Sequence, residues 1–274
     1  MKKLTLFTLV ISSILLASCA TAPAAECPEC PECPSAGPQT DLGGREVRMA
    51  VENAYPPFNF IDAETNEAVG WDYDVGRRIC EILNCTPIFV ETAWEGVFEA
   101  MSAGENDVLF DGVTIYLSRS LKIDYSDPYI EYGQVIVVRA DEDRPELVDE
   151  DSFVDSDLIL GTQLGTTNEI TGIKLVGEDR IVSYDTFDMP MVALSAGEVD
   201  SVIIDEVAAI GFMGEFPGKY KIAFSATSGE YLALVFPPLS DLVVPFNWAL
   251  EKMFADGSMN DICYKWLFRA CSPQ

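Results

Sequence analysis

The chain has 274 residues, 17 Lys and Arg against 45 Asp and Glu, no His, and 49% apolar residues. At ~100–200 residues per domain this is one large or two medium domains with enough apolar side chains for a core, which excludes wholesale disorder. A formal charge of −28 argues against nucleic-acid binding, whose affinity rests on Lys and Arg, and the missing His removes the usual general base, the Ser-His and Cys-His pairs and the commonest metal ligand.

Lys2 and Lys3 precede an apolar stretch from Leu4 to Ala17, long enough for a signal-peptide core but short of the ~20 residues that span a bilayer. It ends in Leu16-Ala17-Ser18-Cys19, which resembles the lipobox of bacterial lipoproteins and implies cleavage after residue 18 and acylation of Cys19. An ordinary secretory signal with a chance Cys is the alternative. Residues 1–19 are thus a signal segment, and residues 20–44 have the composition of a tether. Within that tether, Cys27, Cys30 and Cys33 alternate with Pro-Glu pairs. In a polyproline II helix their period of three stacks them on one face ~9 Å apart, too far for a disulfide without bending. A stiff spacer is the simpler reading.

The folded part begins with a strand at Val47–Val51, running into Glu52-Asn53-Ala54-Tyr55-Pro56-Pro57-Phe58, a proline-stiffened loop that presents aromatics. After Gly70-Trp71-Asp72-Tyr73-Asp74 comes a helix to about Leu83 and a strand over Thr86–Glu91. Cys80 and Cys85 flank the helix end, with Asn84 suited to a left-handed cap, and Cys263 and Cys271 bracket the last helix. Both pairs fit local disulfides in an oxidising compartment, and neither spacing matches a zinc site. No metal and no cofactor is expected.

Met101-Ser102-Ala103-Gly104-Glu105-Asn106-Asp107 followed by Val108-Leu109-Phe110-Asp111 is echoed by Leu194-Ser195-Ala196-Gly197-Glu198-Val199-Asp200 followed by Ser201-Val202-Ile203-Ile204-Asp205. Each copy reads as a helix stopped by Gly, a turn, a buried strand, and an Asp where the strand runs out. The repeat predicts two related α/β lobes. In open α/β sheets ligands bind outside the carboxyl ends of the strands, which makes Asp111 and Asp205 candidate site residues; an isolated Asp in such a place also serves as a helix N-cap. Between the copies, Thr114 to Arg119 leads to Tyr125-Ser126-Asp127-Pro128-Tyr129 and a strand from Gln134 to Val138. Gly165-Thr166-Thr167 then runs into a helix start, whose N–H groups favour an anion.

Tyr55-Pro56-Pro57-Phe58, Gly70 to Asp74, Thr114 to Arg119 with Tyr125 to Tyr129, Gly165-Thr166-Thr167, and Asp205-Glu206-Val207-Ala208, in this order, resemble the bacterial extracellular solute-binding proteins for polar amino acids. The resemblance spans about residues 45 to 270. It implies a type II periplasmic-binding-protein fold: two α/β lobes, a ligand cleft between them and two hinge strands. Residues 45–133 and 231–274 would form lobe 1 and residues 134–230 lobe 2. It also implies a monomeric, extracytoplasmic protein, held at the membrane by its lipid, that binds an amino acid without transforming it and passes it to the permease of an ABC transporter.

The same resemblance assigns Arg119, with Thr114 and the Gly165, Thr166 and Thr167 loop, to the ligand carboxylate, and Asp205 to its ammonium. Arg supplies a planar fork suited to a carboxylate. Tyr55, Phe58 and Trp71 would wall the side-chain pocket, next to Glu52, Asp111 and Gly112. Glu52 stands where members selective for basic amino acids often carry a carboxylate. Asp111 departs from the family, which usually has a small residue there, as do Tyr116-Leu117 where Thr-Pro is common. The added negative charge points to a cationic or strongly polar ligand. Two rivals share the fold: a periplasmic prephenate or arogenate dehydratase, with Glu52 or Asp111 as acid, and a sensor that reports to a membrane receptor.

Overall fold

A computed structural model describes residues 40–271; the signal segment, Cys19 and the tether cysteines lie outside the described residues. In chain order the first part comprises β1 (Glu46–Val51), β2 (Ala54–Tyr55), β3 (Asn59–Ile61), β4 (Ala68–Val69), α1 (Trp71–Leu83), β5 (Thr86–Glu91), α2 (Val97–Ser102), β6 (Val108–Thr114), β7 (Asp124–Tyr125) and β8 (Ile130–Tyr132). Next come β9 (Gln134–Arg139), α3 (Glu150–Val154), β10 (Leu160–Gln163), α4 (Thr167–Val176), β11 (Ile181–Tyr184), α5 (Met189–Ala196), β12 (Ser201–Asp205), α6 (Glu206–Glu215) and β13 (Tyr220–Ser225). The chain closes with β14 (Glu230–Phe236), α7 (Val243–Asp256) and α8 (Ser258–Leu267).

Two sheets carry the same plan. The first runs β5-β1-β6-β14-β7, with β8 also on β14, and the second runs β11-β10-β12-β9-β13. In each, three parallel strands linked through helices lie in the order second, first, third, and an antiparallel strand extends the third. The antiparallel strand of each sheet comes from beyond its βαβαβ unit, so the chain passes from the first sheet to the second between Tyr132 and Gln134 and returns between Ser225 and Glu230.

Local sequence explains the main elements. Helix α1 buries Asp72, Val75, Gly76, Ile79, Cys80 and Leu83, a spacing of three and four that turns one face to the sheet. It stops at Asn84, whose φ of 51° places it in the left-handed cap and sends its N–H to the Cys80 carbonyl. The Cys80–Cys85 disulfide closes over this cap and Cys263–Cys271 closes over the end of α8. Strand β6 is buried at all seven positions, as a strand covered on both faces must be.

The two Asp residues of the repeat are not structurally equivalent. Asp205 is the last residue of β12 and precedes α6 directly, whereas Asp111 lies inside β6, which continues to Thr114 because β14 pairs with it there. The expectation that the first strand runs out at Asp111 is corrected accordingly. Gly112 follows with φ of 51°, next to the register shift between β6 and β14. A Cβ there would meet Tyr55 Cε1 at 2.1 Å, so both the conformation and the close approach call for glycine.

Candidate functional site

A small cavity lies where the carboxyl ends of the six parallel strands face each other. Each strand end contributes: Glu52 after β1, Trp94 after β5, Asp111, Gly112 and Thr114 on β6, Gln163, Thr166, Thr167 and Asn168 at the end of β10, Phe187 after β11, and Asp205 on β12. Tyr55 and Arg119 complete the lining.

Contacts between the two sets of residues close this cavity. The Tyr55 hydroxyl donates to Asp205 Oδ2 at 2.5 Å, and Asn168 Nδ2 donates to Asp205 Oδ1 at 2.8 Å. Gln163 Nε2 donates to Glu52 Oε1 at 2.6 Å, and the hydroxyls of Thr114 and Thr167 lie 3.1 Å apart. Arg119 reaches both sides, with Nη1 donating to the Thr114 carbonyl and Nη2 to the Gly165 carbonyl, each at 3.3 Å. Its guanidinium lies over the Phe98 ring at 4.5 Å and the Trp94 ring at 5.4 Å, a flat aromatic seat that orients the fork.

The charges of this cavity are unpaired. None of the ion pairs among the described residues includes Glu52, Asp111, Asp205 or Arg119. Burial pushes Asp205 up to about 6, against the pull of its bonds from Tyr55 and Asn168. Burial also raises Glu52, to about 9, with the Asp111 charge adding to it, and raises Asp111 to about 7 despite its bond from Asn59. Desolvation lowers Arg119 from its ordinary value, yet arginine keeps its charge in proteins. A buried charge without a partner is costly. The cavity therefore suits a molecule that brings an anion to Arg119 and cations to the carboxyl groups.

Most of the residues singled out in the sequence meet here: Glu52, Tyr55, Asp111, Gly112, Thr114, Arg119, Thr166, Thr167 and Asp205 line the cavity, and Gly165 touches Arg119 through its carbonyl. Phe58 and Trp71 do not line it. Both are fully buried in the core behind Tyr55, Phe58 stacked on Tyr55 at 4.9 Å and Trp71 on Tyr129 at 4.6 Å. Their place in the aromatic wall is taken by Trp94 and by Phe187, whose ring lies 4.2 Å from that of Tyr55. The Gly165 N–H is already bonded to the Glu169 carboxylate at 2.8 Å, so this loop offers the first-turn N–H groups of α4 rather than its glycine.

Sequence reasoning passed over Trp94, Gln163, Asn168 and Phe187. The available signal was position, since all four stand at or just beyond the carboxyl end of a parallel strand. Among the described residues no cluster of three or more His, Cys, Asp or Glu is arranged to hold a metal ion, and no helix is long and apolar enough to cross a membrane.

Two lobes of identical strand order around a polar, charge-bearing cleft define a solute-binding protein. Residues 47–269 match the bacterial extracellular solute-binding proteins, family 3, and the chain belongs to that family. It is 24% identical over 230 residues to the ABC transporter arginine-binding protein 1 of Escherichia coli K12, covering 81% of this chain and 90% of that protein. It is 26% identical over 228 residues to a probable histidine-binding protein of Neisseria gonorrhoeae, covering 81% and 83%. The fold matches that of an ancestral arginine-binding protein solved with bound glutamine, with a TM-score of 0.74, 31% identity, and coverage of 81% of this chain and 97% of the other. The chain is thus a bacterial extracellular solute-binding protein, and these relatives are named for binding rather than for catalysis.

Proposed function

We propose that this protein captures a polar amino acid with a cationic side chain by closing its two lobes, and delivers it to the permease of an ABC transporter. One observation carries the reading: the cavity between the lobes holds one guanidinium, Arg119, and three carboxyl groups, Glu52, Asp111 and Asp205, none of them in an ion pair among the described residues. An α-amino acid brings the complementary charges. Its carboxylate pairs with Arg119 and the first turn of α4, and its ammonium with Asp205. Glu52 and Asp111 remain for a positively charged side chain.

Closure is supported by the way the ligand contacts divide between lobes. Arg119 and Thr114 come from the first sheet's side and Thr166, Thr167 and Asp205 from the second, so only the closed form assembles the full set. In the proposed working form the chain is a monomer, tethered outside the cytoplasm by acylation at Cys19, with the acidic surface keeping it soluble.

A thermal-shift screen of the twenty amino acids plus ornithine tests the ligand class. Arginine, lysine or ornithine should raise the melting temperature most. Stabilisation by glutamate or aspartate alone would overturn the cationic assignment.

A further inference from the structure

Behind the cavity lies a buried relay that the contacts to an amino-acid backbone leave unused. Asn59 is fully buried on β3 and donates from Nδ2 to Asp72 Oδ2 at 2.8 Å and to Asp111 Oδ1 at 2.9 Å. Its Oδ1 accepts the Asn53 N–H at 2.6 Å, which fixes the amide's orientation. Asp72, in the first turn of α1, is fully buried, and its Oδ1 has no hydrogen-bond partner among the described residues. At the cavity end Glu52 lies with Asp111 in the lining, close enough for their charges to interact, and Gln163 holds the Glu52 side chain.

Three carboxyl groups thus share one buried run, and none has a Lys or Arg within ion-pair distance among the described residues. The other titratable groups around them are Asp188 at the start of α5, the hydroxyls of Tyr73 and Tyr129, and Asp205 and Arg119 in the lining of the same cavity. Arg119 is the one cation among them, and its guanidinium bonds the Thr114 and Gly165 carbonyls and none of the three carboxyl groups; the rest are acids or phenols, which add repulsion or nothing. Burying that many uncompensated charges is expensive, and the run must hold protons when the cavity lacks a cation.

We propose that Glu52 and Asp111 form a side-chain subsite that exchanges protons for the ligand's cation, with Asp72 staying protonated and Asn59 serving as a fixed donor to Asp111. As a guanidinium or ammonium enters, it donates to both carboxyl groups, and the protons they held leave to solvent. Raised titration of all three groups by burial agrees with this assignment. The inference rests on the amino-acid reading above and adds Asp111 and a proton count to it. An uncharged side chain would leave the protons in place.

Titration calorimetry of the full chain with L-arginine, in buffers of different ionisation enthalpy near pH 7, measures the exchange directly. Release of roughly one to one and a half protons per arginine is expected near pH 7, with affinity rising about tenfold or more per pH unit between pH 6 and 7. Glu52→Gln should abolish most of the release and weaken arginine by about tenfold or more; if that variant fails to fold, Asp111→Asn should weaken arginine similarly and lower the release in part. Arginine binding with a buffer-independent enthalpy and a flat pH profile would overturn the proposal, as would binding confined to uncharged ligands. Absence of heat with every amino acid would overturn the amino-acid reading itself.

Discussion

The Tyr55 hydroxyl reaches across the cleft to Asp205 Oδ2 at 2.5 Å, joining residues 150 positions apart that belong to different lobes. With Asn168 on the other oxygen, Asp205 is held in one orientation at the place where a ligand ammonium is expected. At neutral pH it lies above its titration near 6 and carries charge. Asp205→Asn keeps the shape and removes that charge. Calorimetry should show amino-acid affinity falling ~100-fold, the scale of a charged hydrogen bond, with an unchanged far-ultraviolet spectrum. A loss below threefold would remove Asp205 from the ammonium contact.

Arg119 tests the opposite pole. Its fork touches one carbonyl from each lobe and rests on Phe98 and Trp94. Arg119→Lys preserves the charge but not the planar pair of donors, so affinity should fall by ~30-fold or more. Equal affinity in the two proteins would show that a point charge is enough and that the fork plays no part.

Gly211 on α6 marks where the lobes touch on the other side of the cleft. A Cβ there would lie 2.6 Å from Pro57 Cδ and 2.9 Å from the Pro56 carbonyl oxygen, both on the loop after β2. Gly211→Ala should favour helix α6 itself by ~1 kcal/mol while obstructing closure at a cost of ~1–3 kcal/mol. Small-angle scattering should then show little compaction on adding ligand, and affinity should drop by about tenfold. Full compaction with unchanged affinity would mean that Pro57 yields freely.

The carboxyl groups of the cleft set the pH dependence of the ligand-free protein. Glu52, Asp111 and Asp205 titrate at about 9, about 7 and about 6, all above their ordinary values, so the folded state binds more protons than the unfolded one. Their contribution is fully present below about pH 4 and is lost as pH rises through 6 to 9. Glu142, held down to about 2 by its bonds from Arg144, loses its contribution only below that window. The melting temperature should therefore fall between pH 5 and pH 9. A loss of even ~2 kcal/mol corresponds to roughly 4–8 °C in a chain of this size. A saturating cationic ligand should reduce the slope, and a rise in melting temperature across the range without ligand would contradict the account.

Much of the fold was legible because its signals are local. The Asn84 cap, the buried run of β6 and the two Ser-Ala-Gly-Glu segments each depend on residues close in sequence. The repeat located Asp111 and Asp205 but implied an equivalence that β14 removes, because pairing with a distant strand carries β6 past Asp111. Phe58 and Trp71 illustrate a different limit. Aromatic character marks both cavity walls and core, and only the stacking of Phe58 on Tyr55 and Trp71 on Tyr129 decides between them. Gln163 and Phe187 carry no motif at all; they matter because the end of β10 and the loop after β11 face Glu52 and Tyr55 from the other lobe.

The central claim is that one amino acid spans the cleft from Arg119 to Asp205, with its side chain toward Glu52 and Asp111. A crystal structure of the full chain grown with L-arginine tests it most directly. Density is expected in this cavity with the α-carboxylate on Arg119, the ammonium on Asp205 and the guanidinium between Glu52 and Asp111. Arginine bound in the reverse orientation, or outside the cleft, would contradict it.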